Sequence, residues 1–208
     1  MSEQLNLTST GQTPFAALRR FVRQPTQLES CELCSAPVEA EHDHLVEPQT
    51  RKIICACYAC GLLFTGQNGT KYKRVPRQAR YLPDFQLTDA HWDDLLVPIG
   101  MAFFFFSSPA DKMIALYPSP AGPTESLLTL DAWEAIANEN PILKQMEADV
   151  EALLVNRIGE TRDYYIAPID ECYRLVGLIR MNWRGLSGGV DVWREIQNFF
   201  VGLKHRAR

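Results

Sequence analysis

The sequence has no apolar run long enough to cross a membrane. Its most apolar stretch, residues 95–106, contains Pro98 and Gly100 and is twelve residues long, whereas a spanning helix needs about 20 apolar residues. The first residues, Met1–Thr8, also lack the basic and apolar segments of a secretory signal peptide. We therefore expect a cytoplasmic protein without membrane insertion, in which residues 95–106 form a buried strand or strand pair.

The sequence also lacks the short motifs that accompany common catalytic sites. There is no phosphate-binding loop, no glycine fingerprint of a dinucleotide site and no Gly-x-Ser-x-Gly nucleophile elbow. Only four histidines are present, so few residues could act as a general base. The glycines of Gly185–Gly189 could expose backbone amides to an anion, but a turn between two helices needs the same glycines. The sequence therefore predicts no named reaction and favours a role other than catalysis.

Acidic residues are missing from one long stretch, Pro48–Pro83, although the whole chain has a net charge of −4. Tyr72 and Tyr81 are interleaved there with basic residues, a mixture that suits a nucleic-acid contact, a docking surface for an acidic protein, or a solvated loop. Because the chain is acidic and no recognition helix is evident, nucleic acid is the less favoured partner. The basic residues of the stretch are Arg51, Lys52, Lys71, Lys73, Arg74, Arg77 and Arg80.

Five of the six cysteines lie between residues 31 and 60. Cys31 and Cys34 form one Cys-x-x-Cys pair, Cys57 and Cys60 form another, and 22 residues separate the two pairs. Each pair directs two sulfurs at one point, so that two pairs complete a closed tetrahedral shell. Such clustering indicates reduced thiolates and argues against a disulfide framework. The sequence predicts Zn²⁺ on these four cysteines, with iron as the alternative because a rubredoxin-like site uses the same ligands.

Three more side chains near these pairs are candidates for additional ligands. His42 and His44 lie between the pairs and could replace a cysteine, although loop histidines more often hydrogen-bond to solvent or to thiolates. Cys55 either packs as a small side chain beside the site or serves as an exchangeable ligand. The sixth cysteine, Cys172, falls in a helical apolar pattern and is expected to be inert core.

The element pattern predicts an α+β fold. An apolar fraction of 46% is enough for a real core. We expect a flexible N-terminus over residues 1–13 and then, over residues 14–83, a short helix at Pro14–Arg23, a zinc-ribbon-like unit and a basic extension. A small mixed α/β domain over residues 84–208 completes the chain. The ribbon should pack on this domain or precede it, with Leu62–Phe64 as the packing residues.

Alternating apolar residues and turn residues predict three hairpins, and helical periodicity predicts four helices in the second domain. The four phenylalanines of residues 103–106 are expected to face both sides of a covered sheet. Residues 118–123 are predicted to be a loop. The predicted hairpin arms are 44–47 with 52–55, 99–106 with 112–117, and 152–155 with 164–169. The predicted helices begin near 88, 131, 170 and 189.

Several of these segments together resemble a family of uncharacterised bacterial proteins of about the same length as this chain. The resemblance is carried by residues 31–34, 54–64, 117–122, 170–180 and 183–189. The resemblance implies a connection with actinobacterial-type gene clusters for nickel–iron hydrogenases, and hence hydrogenase subunits as protein partners. With the cysteines, it leads to the hypothesis of a zinc-binding accessory protein that assists the assembly, maturation or docking of a redox enzyme. The alternatives are a rubredoxin-like electron carrier and a nucleic-acid-binding regulator.

Overall fold

The structure is a computed structural model that describes residues 29–65, 70–127, 130–185 and 187–208. The predicted flexible N-terminus and the predicted helix at Pro14–Arg23 lie outside the described residues. The elements in chain order are β1 (Asp43–Glu47), β2 (Lys52–Ala56), α1 (Tyr58–Leu63), β3 (Lys73–Arg74), β4 (Arg80–Tyr81), α2 (Asp89–Asp94), β5 (Met101–Ser107), β6 (Lys112–Ser119), β7 (Gly122–Glu125), α3 (Leu130–Glu139), a 3₁₀ turn (Pro141–Gln145), β8 (Glu151–Asn156), β9 (Asp163–Pro168), α4 (Ile169–Asn182) and α5 (Gly189–Arg206).

The first sheet is a small antiparallel one with the strand order β2-β1-β3. Its central feature is the predicted hairpin, which is confirmed with His44 opposite Cys55 and Leu45 opposite Ile54. Because side chains alternate across a strand, the hairpin has two different faces. Leu45, Ile54 and Ala56 form a small core with two of the cysteines on one face, whereas Val46 on the other face joins the core of the larger sheet.

The second sheet contains six antiparallel strands in the order β4-β9-β8-β5-β6-β7. The run of phenylalanines lies in β5 at its centre. Phe103 and Phe105 pack into one core cluster, while Phe104 packs into the cluster on the opposite face. The expectation that these rings face both sides of a covered sheet is therefore confirmed, and it follows directly from the two-residue period of a strand.

Helices cover both faces of the six-stranded sheet. Helices α4 and α5 bury their apolar stripes, including Leu175, Ile179 and Ile196, against the face that carries Phe103. On the opposite face, α3 contributes Trp133 and Ile136. The predicted α+β class and the two C-terminal helices are confirmed. Among the described residues, no helix combines the length and apolar character that membrane crossing requires.

Two local predictions are wrong. Residues 118–123 are not a loop, because β6 continues to Ser119 and turns back at once into β7, with Pro118 opposite Pro123. Proline is tolerated there because β7 is the outer strand and β5 pairs with β6 only up to Leu116. Leu62–Phe64 does not pack the ribbon onto the second domain: these three side chains are 51%, 72% and 45% exposed.

The ribbon is joined to the rest of the chain by other residues. The inward face of α1 is occupied by Cys60 and Gly61, so the following apolar residues point outward. Instead, Val46 of β1 and Val75, which follows β3, are buried in the core of the larger sheet and connect the two sheets. Strand β4, which precedes residue 84, is the outer strand of the six-stranded sheet, and the division of the chain at residues 83 and 84 stays a prediction.

Candidate metal centre

The first Cys-x-x-Cys pair lies in a tight turn. Ser35 donates its amide to the carbonyl of Cys31 at 2.8 Å, and Cys31 donates to the carbonyl of Ala36 at 2.8 Å. Ser35 takes a positive φ of 61°, which closes the turn. A single bridge between Ser30 and Pro37 flanks it. The local backbone alone therefore brings both sulfurs of this pair to one side.

The second pair lies where β2 passes into α1. Cys57 immediately precedes the helix, and Cys60 occupies its first turn. The amide of Gly61 donates to the carbonyl of Cys57 at 2.8 Å. A Cβ atom on Gly61 would approach the Oδ2 atom of Asp43 to 2.9 Å, so glycine allows the helix to lie directly on the hairpin. This close approach sets Cys60 against the small core.

The structure brings the four sulfurs of Cys31, Cys34, Cys57 and Cys60 within 4.8 Å of one another. The Sγ atoms of Cys34 and Cys57 are 3.7 Å apart, and a regular tetrahedron with metal–sulfur bonds of 2.3 Å has edges of about 3.8 Å. Cys31 and Cys60 are buried, whereas Cys34 is exposed. All six cysteines of the chain are free thiols. The group could hold a metal ion, and both zinc and iron suit four thiolates.

Two buried thiols of this group, Cys31 and Cys60, have strongly divergent pKa values. Burial opposes ionisation of Cys31, but backbone N–H groups of Cys57, Leu33 and Cys34 lower its pKa to about 6. Burial and the neighbouring thiols raise the pKa of Cys60 to about 12. Four thiolates in contact repel one another, so a cation is required to hold all four in the ionised form. The acidities therefore fit a site that needs a metal ion to become fully charged.

The three additional candidates do not join the four cysteines but form a second group. His42, His44 and Cys55 offer ligand atoms that lie within 4.8 Å of one another. His44 and Cys55 are cross-strand neighbours in the hairpin, and the rings of His42 and His44 meet edge to face with centroids 4.8 Å apart. The sixth cysteine, Cys172, is completely buried in the main core, and burial raises its pKa.

A buried carboxylate, Asp43, supports the ribbon and was not recognised from the sequence. Its side chain is fully buried and accepts hydrogen bonds from Arg74 at 2.8 Å and from Arg77 at 2.8 and 3.0 Å. Burial alone would raise the pKa of Asp43, but the two guanidinium groups lower it below the ordinary value. The predicted hairpin arm begins at residue 44 and therefore leaves Asp43 outside the strand. An acidic residue at an inward position of a strand was the available signal.

The basic residues of the stretch form ion pairs with carboxylates from other parts of the chain. Each of its seven basic residues has an acidic partner within 4.0 Å. Lys73, for example, contacts the buried carboxylate of Asp149 at 2.7 Å, and Lys52 contacts Glu32 at 2.8 Å. Much of the positive charge that the sequence suggested for a nucleic-acid surface is therefore internally balanced. The remaining pairs are Arg51–Glu125, Lys71–Glu47, Arg74–Asp43, Arg77–Asp43 and Arg80–Glu151.

Fold and site together define an α+β protein with a four-cysteine group that can hold a metal ion. The chain belongs to the family of unknown function DUF5947, which matches residues 30–207. The match begins just before the first cysteine pair and runs through the last helix, so the family includes both the ribbon and the six-stranded sheet. The expected membership in an uncharacterised family is confirmed. No curated protein and no solved structure matches the chain.

Proposed function

We propose that this protein is a metal-binding accessory protein in which Zn²⁺ bound by Cys31, Cys34, Cys57 and Cys60 stabilises a docking module. The convergence of the four sulfurs, with 3.7 Å between Cys34 and Cys57, is the observation that carries the proposal. A closed set of four thiolates leaves no position for substrate, which is typical of structural zinc. The role of the metal is therefore to fix the shape of the ribbon.

The docking surface proposed for this module is the apolar cap on α1 and the turn after it. Tyr58 and Leu63 are 67% and 72% exposed, and Leu62 and Phe64, the sequence neighbours of Leu63, are also exposed. Contiguous exposed apolar residues commonly mark protein contacts. Because Cys57 immediately precedes α1 and Cys60 lies within it, the metal that holds these two cysteines also positions this cap. A protein partner is favoured over nucleic acid because the basic side chains nearby are already paired.

The proposed role of the protein in the assembly, maturation or docking of a redox enzyme is based on the family resemblance. The partners it proposes are nickel–iron hydrogenase subunits, and the proposed location is the cytoplasm. The chemistry required of the chain is modest: a reduced four-thiolate module that presents an apolar surface. This role does not require a catalytic residue.

The decisive experiment combines metal analysis with partner binding. The protein is purified without added metal, its metals are measured by mass spectrometry, and a visible spectrum is recorded. We expect one zinc per chain and no colour. Iron with strong visible absorption would replace this proposal with the rubredoxin-like alternative, because ferric tetrathiolate absorbs visible light and zinc does not.

A pair of variants then separates the metal from the docking surface. Cys34→Ser should lower zinc content, stability and capture of purified hydrogenase subunits together, since metal binding contributes folding free energy. Leu63→Ser should keep zinc and stability but weaken capture. Cys172→Ala, which alters a cysteine of the main core, is the control for general effects of losing a thiol and should keep the zinc. Full stability and full capture by a zinc-free Cys34→Ser protein would contradict the proposal.

A further inference from the structure

The group formed by His42, His44 and Cys55 has the organisation of a metal site in its own right. The three ligand atoms lie within 4.8 Å of one another. A tetrahedral ion bound through nitrogen and sulfur needs separations of about 3.3 to 3.6 Å, so the ligand atoms need to approach one another by no more than about 1.5 Å. Two imidazoles and one thiolate are ligands that zinc and neighbouring transition metals prefer.

Both histidines are held by their Nδ1 atoms. The Nδ1–H of His42 donates to the carbonyl oxygen of Glu39 at 2.8 Å, which leaves Nε2 as the unprotonated nitrogen of the neutral ring. The Nδ1 atom of His44 lies 2.7 Å from Oδ2 of Asp170. The other oxygen of this carboxylate accepts the amide of Glu171 at 2.8 Å. A carboxylate or carbonyl on one ring nitrogen is the usual way in which proteins orient a metal-binding histidine.

The Nε2 atom of His42 is buried and has no hydrogen-bond partner among the described residues. The side chain of His42 is only 6% exposed, and an unpartnered buried acceptor is costly. This atom belongs to the same ring that contacts His44 edge to face. A cation bound also by His44 and Cys55 would give this nitrogen a partner. The four-cysteine group does not include His42 and therefore does not explain the burial of the atom.

The geometry points to a second metal site, in which His42 Nε2, His44 Nε2 and Cys55 Sγ bind a divalent transition-metal ion, Zn²⁺ in the first instance. Cys55 binds as the thiolate and releases its proton to solvent. Three protein ligands leave one coordination position for water or an exogenous ligand, as in zinc sites that exchange or activate a ligand. The site is therefore expected to be the weaker and more exchangeable of the two.

This second site also connects the ribbon with the six-stranded sheet. Asp170 lies in the first turn of α4, whereas both histidines and Cys55 belong to the ribbon. A metal ion on Nε2 of His44 makes the Nδ1–H group a stronger hydrogen-bond donor. Asp170 accepts this hydrogen bond. A metal ion in the second site is therefore expected to strengthen the hydrogen bond between His44 of the ribbon and Asp170 of α4. The ligands of the four-cysteine site make no such contact with α4 among the hydrogen bonds described above.

The test is a titration of the full chain with Co²⁺ after the four-cysteine site has been saturated with zinc. We expect one further equivalent, with a visible spectrum of cobalt bound by nitrogen and a single thiolate, while zinc content stays constant. Cys55→Ser, His42→Ala and His44→Ala should each weaken this equivalent at least tenfold. Asp170→Asn should weaken it by roughly 10- to 100-fold through the orientation of His44.

The matched control is His91→Ala. His91 also has a buried ring nitrogen without a hydrogen-bond partner, but within the described part of the chain it belongs to neither cluster of metal-ligating side chains. This variant should bind the second Co²⁺ like the unaltered chain. Proton NMR of the unaltered chain provides a readout that needs no variant, because Co²⁺ should shift the ring protons of His42 and His44 strongly.

Two results would overturn the second site. One is a zinc-saturated chain that takes up no further Co²⁺ at micromolar protein concentration. The other is a second equivalent that persists in the triple variant of His42, His44 and Cys55, or that shifts the ring protons of other histidines. Neither result bears on the four-cysteine site, whose zinc is measured independently in the same samples.

Discussion

The two faces of the β1–β2 hairpin carry two different sets of metal-ligating side chains. On one face, Leu45 and Ile54 form a small core with Cys31 and Cys60. On the other face, His44 and Cys55 are neighbours across the strands, and His44 reaches Asp170 on α4. The first set consists only of thiols, from the tight turn at Cys31–Cys34 and from the start of α1. The second set combines imidazoles and a thiol and depends on a residue from the other sheet.

This difference suggests separate roles for the two faces of the ribbon. The four cysteines lie on one tight turn and at the start of α1, beside a core of only a few buried residues, so we expect this face to depend on metal for its shape. The histidine face is supported by the main core through Val46 and can keep its shape when empty. The closed set suits a permanent ion, and the open set suits an exchangeable one.

The largest expected effect comes from metal removal. Structural zinc contributes about 10 kcal/mol or more to the folding of small zinc modules, whereas the six-stranded sheet has its own large core. A strong chelator should therefore abolish hydrogen-exchange protection over residues 31–36 and 57–64, which contain the cysteine pairs, while residues 101–206 stay protected. Exchange measured by mass spectrometry on both segments tests this expectation. Equal loss of protection in both regions, or protection retained in both, would contradict the expectation that only the cysteine segments depend on metal.

The next effect concerns the core that does not depend on metal. Phe104 is completely buried and stacks on Trp133, so Phe104→Ala should lower the free energy of unfolding by about 3–5 kcal/mol. Phe106→Ala, at the partly exposed end of the same run, is the control and should cost less. Denaturant unfolding measures both changes, and zinc content should stay constant. A loss of zinc in Phe104→Ala would show that the two regions are not separable.

A smaller effect is expected at the carboxylate that supports the ribbon. Asp43→Asn keeps the size of the side chain but weakens its hydrogen bonds with Arg74 and Arg77, at a cost of about 1–3 kcal/mol. Because the folded pKa of Asp43 is lowered, its ionisation stabilises the fold fully above the ordinary value of 3.8. This stabilisation is lost as the pH falls through the lowered pKa.

The measurement is the difference in unfolding free energy between the unaltered chain and Asp43→Asn, followed from neutral pH into acid. Release of zinc in acid should affect both proteins equally. The difference between their unfolding free energies therefore reports the contribution of the Asp43 charge. We expect the difference to shrink as the pH falls below about 4. A difference that stays constant down to the lowest pH would mean that the charge of Asp43 does not contribute.

The smallest effect on stability is expected at the exposed cap. Leu63 is 72% exposed, so Leu63→Ser should change the free energy of unfolding by no more than about 0.5 kcal/mol. Thermal unfolding provides the check, with Leu45→Ser on the buried side of the hairpin as the strongly destabilised counterpart. A large loss of stability in Leu63→Ser would identify this side chain as part of the fold and remove it from the proposed docking surface.

Local patterns were sufficient to predict much of this molecule. Alternating apolar residues around turn residues predicted the hairpins, and the spacing of Cys31, Cys34, Cys57 and Cys60 predicted their convergence, because each depends on residues close in sequence. Strand β7 was missed because Pro118 and Pro123 are typical of loops. The outer position that makes proline acceptable there is a property of the whole sheet.

The second cluster could not be predicted because it depends on tertiary structure. His42, His44 and Cys55 were individually recognised as candidate ligands, but the sequence placed them beside the four cysteines. Their separation follows from the register of the hairpin, and the role of Asp170 follows from the packing of α4 on the ribbon. Likewise, the direction of Leu62–Phe64 depends on which face of α1 the metal ligands occupy.

The register of the hairpin gives metal binding a further consequence for folding. Side chains alternate with a period of two, so a slip of one residue between β1 and β2 would remove Cys55 from its place opposite His44 and turn Leu45 away from Ile54. The histidine set would be broken directly, and the four-cysteine set would lose Leu45 from the small core beside it. Binding of the proposed ions would therefore select the native strand pairing, and we expect a chain with mispaired strands to bind them weakly.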